Sequence, residues 1–231
     1  MIDESTQFGH LALGIAQSAP RLCGAKAARS ACEREGTSVK LTLMEELVTA
    51  VRNARPEDAG AVARVYIASW HDTYPSILPA ELLCAMTPRG QTARWHAAIL
   101  ARGGEQILVA ECAKHGIVGM ASFGAAHDRG LGFDGEVYTL YVDPDFIGLG
   151  IGSTLMRAAF GGMHNSSFTS CVIWAHARNP ARFFYEAMGG RLIAERSRRM
   201  MGSAVPEAAY GWRRLALSDR NEAPGGSVSR H

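Results

Sequence analysis

The sequence predicts an α+β (mixed α/β) domain, and three observations carry that expectation. Strand-like runs cluster between residues 106 and 142 and recur after residue 190. Segments of helical period are interspersed among them rather than alternating one for one, and no internal repeat is visible. The 231 residues suit one domain with tails and can bury a sizeable core. A formal charge of +2 is too small to argue for nucleic acid or an anionic membrane as a partner. No apolar run approaches the ~20 residues needed to cross a bilayer. The five cysteines (Cys23, Cys32, Cys84, Cys112 and Cys171) are odd in number and form no CxxC pair, so they read as reduced thiols of a cytoplasmic protein.

Three regions are expected. Residues 1–43 are rich in Ala, Ser, Gly and Arg without a sustained period, and read as a disordered or non-native extension. The apolar stretch Phe8–Ala16 follows Asp3 and Glu4 instead of a basic segment, which argues against a secretory signal. Met44 directly precedes the first periodic segment, so one reading starts translation there; N-terminal sequencing tests it. Residues 44–217 form the domain, and the polar, Gly-rich residues 218–231 a disordered tail.

Within the domain, Thr49–Ala54 reads as a short strand. Arg55-Pro56-Glu57-Asp58 opens a helix, with proline in the first turn and acids that complement the helix dipole. A second helical region runs from Pro79 to Leu100, broken near Pro88. Gln106–Cys112 and Gly116–Gly124 read as a hairpin, and Glu136–Val142 as the next strand. Gly150–Phe160 is helical and expected to stop at Gly161-Gly162. Thr169–His176 is a strand, Asn179–Met188 a helix, and Arg191–Met200 and Glu207–Leu215 the closing strands. The sum is about seven strands and four helices.

The most informative stretch is Leu140-Tyr-Val-Asp-Pro-Asp-Phe-Ile-Gly148-Leu-Gly150-Ile-Gly152-Ser153, where a strand enters a glycine-rich turn and a helix leaves it. Glycines admit a ligand close to backbone N–H groups, and the helix N-terminus adds partial positive charge. There is no Gly-Lys-Ser/Thr ending, which argues against an NTPase. No Asp or Glu lies between Phe146 and Tyr185 to hold a ribose, which argues against a dinucleotide. An acid-free stretch suits a polyanion such as coenzyme A. A plain strand-to-helix turn is the competing account.

Val142-Asp143-Pro144 with Gly150-x-Gly152, followed by Asn179-Pro-Ala-Arg-Phe-Phe-Tyr185-Glu-Ala-Met-Gly-Gly190, resembles the two hallmarks of the GNAT superfamily of acyl-CoA-dependent N-acetyltransferases. Ser69-Trp70-His71-Asp72-Thr73-Tyr74 resembles the Ser-Trp-x-x-x-Tyr first helix of a bacterial branch. The resemblance spans nearly all of residues 48–217. It implies a central twisted mixed sheet flanked by helices, and acetyl-CoA as co-substrate. The family's usual Gln or Arg is replaced by Ile147, and its Phe after Gly189 by Gly190.

Acetyl transfer to an amine needs a base, donors for the developing oxyanion and a proton for the leaving sulfur. Glu136, at the start of the strand leading to the turn, is the candidate base, with Asp134 a weaker competitor; a solvated strand-start acid is the alternative. The resemblance implies backbone contacts to the cofactor from Leu140, Tyr141, Val142, Gly148, Gly150, Gly152 and Ser153. It also implies a pantetheine contact from Asn179, which could equally cap its helix, and a general acid in Tyr185, which could equally pack with Phe183 and Phe184. Trp70 and Tyr74, spaced i, i+4, border the acceptor pocket in that branch or pack in the core. His71, His96 and His176 lack metal-ligand spacing, so no metal is expected. Arg191, Arg196, Arg198 and Arg199 read as a solvated strand face, with an acidic acceptor or RNA as alternatives.

The expected reaction is acetylation of a small primary amine: an amino acid, an analogue or an amine antibiotic. The alternatives are a non-catalytic acyl-CoA-binding module, motivated by Ile147, and a transferase acting on a protein N-terminus or aminoacyl-tRNA. Exposed strand ends near the C-terminus suit a homodimer.

Overall fold

Arg52 and Asp58 set the start of the domain. The Arg52 guanidinium donates to Asp58 at 2.6 and 3.1 Å and to Glu111 Oε2 at 2.9 Å. It thereby ties the first strand to its neighbour and to the first helical turn. The structure, a computed structural model, describes residues 50–75, 84–101, 103–200 and 203–215. The regions expected at 1–43 and 218–231 lie outside them.

The strands are β1 (Ala50–Asn53), β2 (Gln106–Cys112), β3 (Gly116–Ala125), β4 (Gly135–Val142), β5 (Cys171–His176), β6 (Arg191–Met200) and β7 (Ser203–Trp212). The helices are α1 (Ala59–Thr73), α2 (Pro88–Leu100), α3 (Ile151–Asn165) and α4 (Ala181–Ala187). They form one seven-stranded mixed sheet in the order β1-β2-β3-β4-β5-β7-β6, antiparallel except for the β4–β5 pair. This is the α+β architecture expected, with four helices against seven strands among the described residues. Among the described residues no helix is long and apolar enough to cross a membrane.

Side-chain alternation along the strands divides the core between the two faces. α1 and α2 cover one face, packing Tyr66, Trp70 and Trp95 against Val109, Met120 and Tyr141. α3 covers the other, packing Leu155, Met156, Ala159 and Phe160 against Leu140, Val142 and Ile173. Tyr185 of α4 and Tyr210 and Trp212 of β7 extend that second core.

Three boundaries differ from expectation. α2 begins at Pro88, where Thr87 Oγ1 caps the Gly90 N–H at 3.2 Å; the stretch from Pro79 to Leu83 lies outside the described residues. α3 does not stop at Gly161-Gly162 but runs through to Asn165. There a Cβ on Gly162 would overlap the Phe123 ring, so this glycine serves a close approach of helix to sheet. β7 begins at Ser203, earlier than expected, because Pro206 falls just beyond the last β5–β7 pair, His176–Glu207. A missing N–H there removes no ladder bond to β5.

The Gly162 contact makes a stability prediction. Gly162→Ala should destabilise the domain by about 1–3 kcal/mol through overpacking, read as a lower midpoint in urea with an unchanged slope; an unchanged midpoint contradicts the contact.

Candidate active site

β4 and β5 are paired over only three residue pairs, Gly135–Cys171, Glu136–Val172 and Val137–Ile173. Both strands continue, β4 to Val142 and β5 to His176, without pairing further. The result is a fork that opens beyond Val137. A strand directs alternate backbone groups to its two neighbours, so along Tyr138–Val142 the groups on the β5 side have no ladder partner. Leu140, Tyr141 and Val142 lie on this open stretch. The Val142 carbonyl is taken by Ser69 Oγ at 2.9 Å.

The fork is closed at its base by Asp134. Its carboxylate accepts from Thr169 N at 2.8 Å, Thr169 Oγ1 at 3.0 Å, Ser170 N at 2.8 Å and Ser170 Oγ. Burial pushes the Asp134 carboxyl up, but the hydrogen bonds from Ser170 and Thr169 outweigh it and hold the group well below the usual carboxylate range. Asp134 is thus a clasp between strand ends, with its oxygens occupied.

The glycine turn follows β4. Gly148 and Gly150 have φ of 82° and 79°, a left-handed conformation that glycine adopts without strain. Gly150 is the N-cap of α3 and brings no side chain to the first-turn N–H groups, so the backbone donors of Ile151, Gly152 and Ser153 are uncapped by it. The loop is anchored by packing: Phe146, Ile147 and Leu149 lie against the α3-side core, and Phe146 meets the His115 ring at 5.0 Å. Ile147 therefore holds the turn from beneath with apolar contact where a polar side chain was expected. The spot expected for Phe after Gly189 is filled from β7. A Cβ on Gly190 would lie 2.6 Å from Trp212 Cζ2, and Trp212 Nε1 donates to the Met188 carbonyl at 2.8 Å.

Glu136 is 3% exposed and sits one pair below the fork's opening. Its Oε2 accepts from the His127 backbone N–H at 2.9 Å and lies 3.1 Å from His127 Nδ1. The sequence reading missed His127, which lies in the β3–β4 connection; only the topology brings it to Glu136. Tyr185 is fully buried, and its Oη has no hydrogen-bond partner among the described residues. Burial, with the neighbouring Tyr210, pushes its phenol well above the usual value, which keeps it a proton donor. Its ring also packs, as an aromatic neighbour of Phe184, Tyr210 and Trp212.

Asn179 caps α4: Oδ1 accepts from Ala181 N at 2.9 Å, and Nδ2 donates to Tyr74 Oη at 2.6 Å. With both ends of its amide engaged inside the protein and no exposed surface, Asn179 acts as a cap in this structure. Trp70 and Tyr74 are likewise fully buried. Trp70 Nε1 donates to Tyr141 Oη at 3.0 Å, and the rings of Trp70 and Tyr74 lie 5.3 Å apart. These two residues belong to the core behind the fork, because the face of α1 that carries them points at β4.

A two-strand fork whose mouth leads to an uncapped helix N-terminus suits an extended ligand ending in phosphates. Residues 103–189 match the acetyltransferase (GNAT) domain family. The chain is similar to that family over this segment, which runs from just before β2 to just after α4. It is 29% identical over 162 residues to the uncharacterized N-acetyltransferase YuaI of Bacillus subtilis, covering 70% of this chain and 91% of that protein. Its fold is similar to PaiA N-acetyltransferase from Thermoplasma acidophilum, solved with coenzyme A, with a TM-score of 0.53, 20% identity, and 69% of this chain and 96% of the other covered. YncA, a putative acetyltransferase from Salmonella typhimurium solved with acetyl-CoA, is similar at a TM-score of 0.53 and 21% identity, over 77% of this chain and 98% of the other. Among the described residues no group of His, Cys, Asp and Glu is placed to hold a metal ion.

The clasp predicts a pH dependence. A carboxyl held below its unfolded value near 4 stabilises the fold above that pH, and loses the effect as pH falls toward the folded value. Asp134→Asn should therefore lower stability by about 1–3 kcal/mol at pH 7, with the gap to wild type narrowing below about pH 4. Denaturant titrations at pH 7 and pH 3 check both statements.

Proposed function

We propose that the protein transfers the acetyl group of acetyl-CoA to the primary amine of a small molecule: an amino acid, an amino-acid analogue or an amine antibiotic. The observation that carries this reading is the β4–β5 fork opening beside the uncapped N-terminus of α3. In it, the backbone of Gly148, Gly150, Gly152 and Ser153 receives the pyrophosphate, where oriented N–H groups and the helix dipole favour an anion. The open edge of Leu140, Tyr141 and Val142 receives the amide-bearing pantetheine as a strand would be received. The thioester then lies within the fork, and N–H groups there polarise its carbonyl. The acceptor ammonium gives up a proton at the Glu136 end of β4, attacks the carbonyl carbon, and the carbon–sulfur bond breaks. Tyr185, buried and protonated, is the donor for the departing sulfur. The apolar anchoring of the turn by Ile147, Phe146 and Leu149 supports this reading over the non-catalytic one, since the cradle keeps its support without a polar side chain.

Two measurements test the proposal. Acetyl-CoA at 100 times its dissociation constant should stabilise the protein by about 2.7 kcal/mol, raising Tm by roughly 5–10 °C, with no shift from NAD or ATP; thiol release is then followed with amino acids, their analogues and aminoglycosides. No shift with acetyl-CoA contradicts the cradle. Tyr185→Phe should lower kcat about 100-fold or more with acetyl-CoA binding retained. Full-rate turnover leaves Tyr185 a packing residue.

A further inference from the structure

We propose that the base in this reaction is the imidazole of His127, with the Glu136 carboxylate as the positioning residue that holds it; the inference rests on the acetyl-transfer reading above. Both hydrogen bonds to Glu136 fall on the same oxygen and come from the same residue. The His127 backbone N–H fixes the loop against Oε2 at 2.9 Å, and Nδ1 of the ring approaches it at 3.1 Å. A carboxylate can only accept, so Nδ1 carries the proton in this contact. The lone pair of the neutral ring is then on Nε2. Burial separates the two members: the Glu136 side chain is 4% exposed and the His127 side chain 47%. Of the pair, the imidazole is the part that an incoming molecule can reach.

The ring is also fixed from the side. It lies 4.5 Å from the Tyr138 ring, and Tyr138 Oη donates to the Ala125 carbonyl at 2.6 Å, so the aromatic wall is tied back to the end of β3. Glu136 marks the last pair but one before the fork opens, which sets His127 at the base of that opening. A buried carboxylate bonded to one nitrogen of an accessible imidazole is the arrangement that makes the other nitrogen a base and stabilises the imidazolium formed.

The ammonium nitrogen loses two protons in becoming an amide. One N–H bond breaks as an Nε2–H bond forms on His127, and the imidazolium passes that proton to water. The nitrogen lone pair attacks the thioester carbon, the carbon–sulfur bond breaks, and the second proton ends on the sulfur.

Among the described residues, the groups acting on His127 include Glu136 on β4, Glu105 just before β2, and Arg198 on β6, with Tyr138 against the ring and Asp128 next in the chain. The Glu136 hydrogen bond raises the imidazole pKa, against opposition from burial and Arg198. The active form is the neutral ring, so kcat/KM should rise with pH and level off above a value higher than that of an ordinary histidine.

The experiment is the pH profile of kcat/KM for wild type, His127→Gln and Glu136→Gln, using acetyl-CoA and the best acceptor from the thiol-release screen. Binding of acetyl-CoA by thermal shift is measured for each variant. His127→Gln should lose about 100- to 10,000-fold in kcat/KM, lack the rising limb and still bind acetyl-CoA. Glu136→Gln should keep the limb but move it to lower pH, and NMR titration of the His127 ring should move the same way. If His127→Gln fails to fold, the Glu136→Gln limb and ring titration decide. A His127→Gln profile like that of wild type overturns the proposal, as does a Glu136→Gln variant whose limb and ring titration stay put. No thiol release by wild type with any amine would instead sink the acetyl-transfer reading itself.

Discussion

Asp134 binds Thr169 and Ser170 where β4 and β5 begin, and those two strands are the sheet's one parallel pair. Parallel pairing is slightly weaker per residue than antiparallel, and here it lasts only three residue pairs. The clasp holds the closed end of this short pairing, and the point where the pairing stops determines which backbone groups stay open. A register slip of one residue between β4 and β5 would exchange the groups that face the gap and turn Glu136 to the other side of the sheet. The glycine turn, the buried tyrosine of α4 and the His127–Glu136 contact are all arranged about the end of that pairing.

A second constraint fixes the walls. Tyr66, Trp70 and Tyr74 run along one face of α1, with successive ring centroids 5.5 and 5.3 Å apart. Tyr141 of β4 meets Tyr66 edge-on at 5.2 Å and accepts from Trp70. Tyr74 receives the Asn179 amide from the turn before α4. Aromatic pairs of this kind contribute about 0.5–1.5 kcal/mol each beyond burial. The same rings therefore bind α1 to one prong of the fork and, through Asn179, to the segment that follows the other.

Much of this could be read from the chain. The element order and the seven-strand count follow from period changes, and Gly148, Gly150 and Gly152 mark the turn because backbone conformation there is a local property. Long-range matters were hidden. Gly162 looks like a helix stop, and only the Phe123 ring across the interface explains why it is not one. Ile147 looks like a defect until Phe146 and Leu149 are seen packing beside it. His127 stands nine positions from Glu136 in a connection without a motif, and no periodicity could pair them. Trp70 and Tyr74 left pocket and core equally open, since helical spacing gives a shared face but not what that face meets.

β6 forms the outer rim of the sheet beside β7. It is ten residues long, and a free edge of that length is an invitation to zip onto another strand. Arg191, Glu195, Arg196, Arg198 and Arg199 interrupt it. Arg196 is turned inward, flat over the Trp174 ring at 3.6 Å and bonded to the buried Glu207. The remaining arginines leave the rim with an excess of positive charge, so that two such rims brought together would set guanidinium against guanidinium. That repulsion opposes sideways growth of the sheet at β6, on the β5 side of the fork.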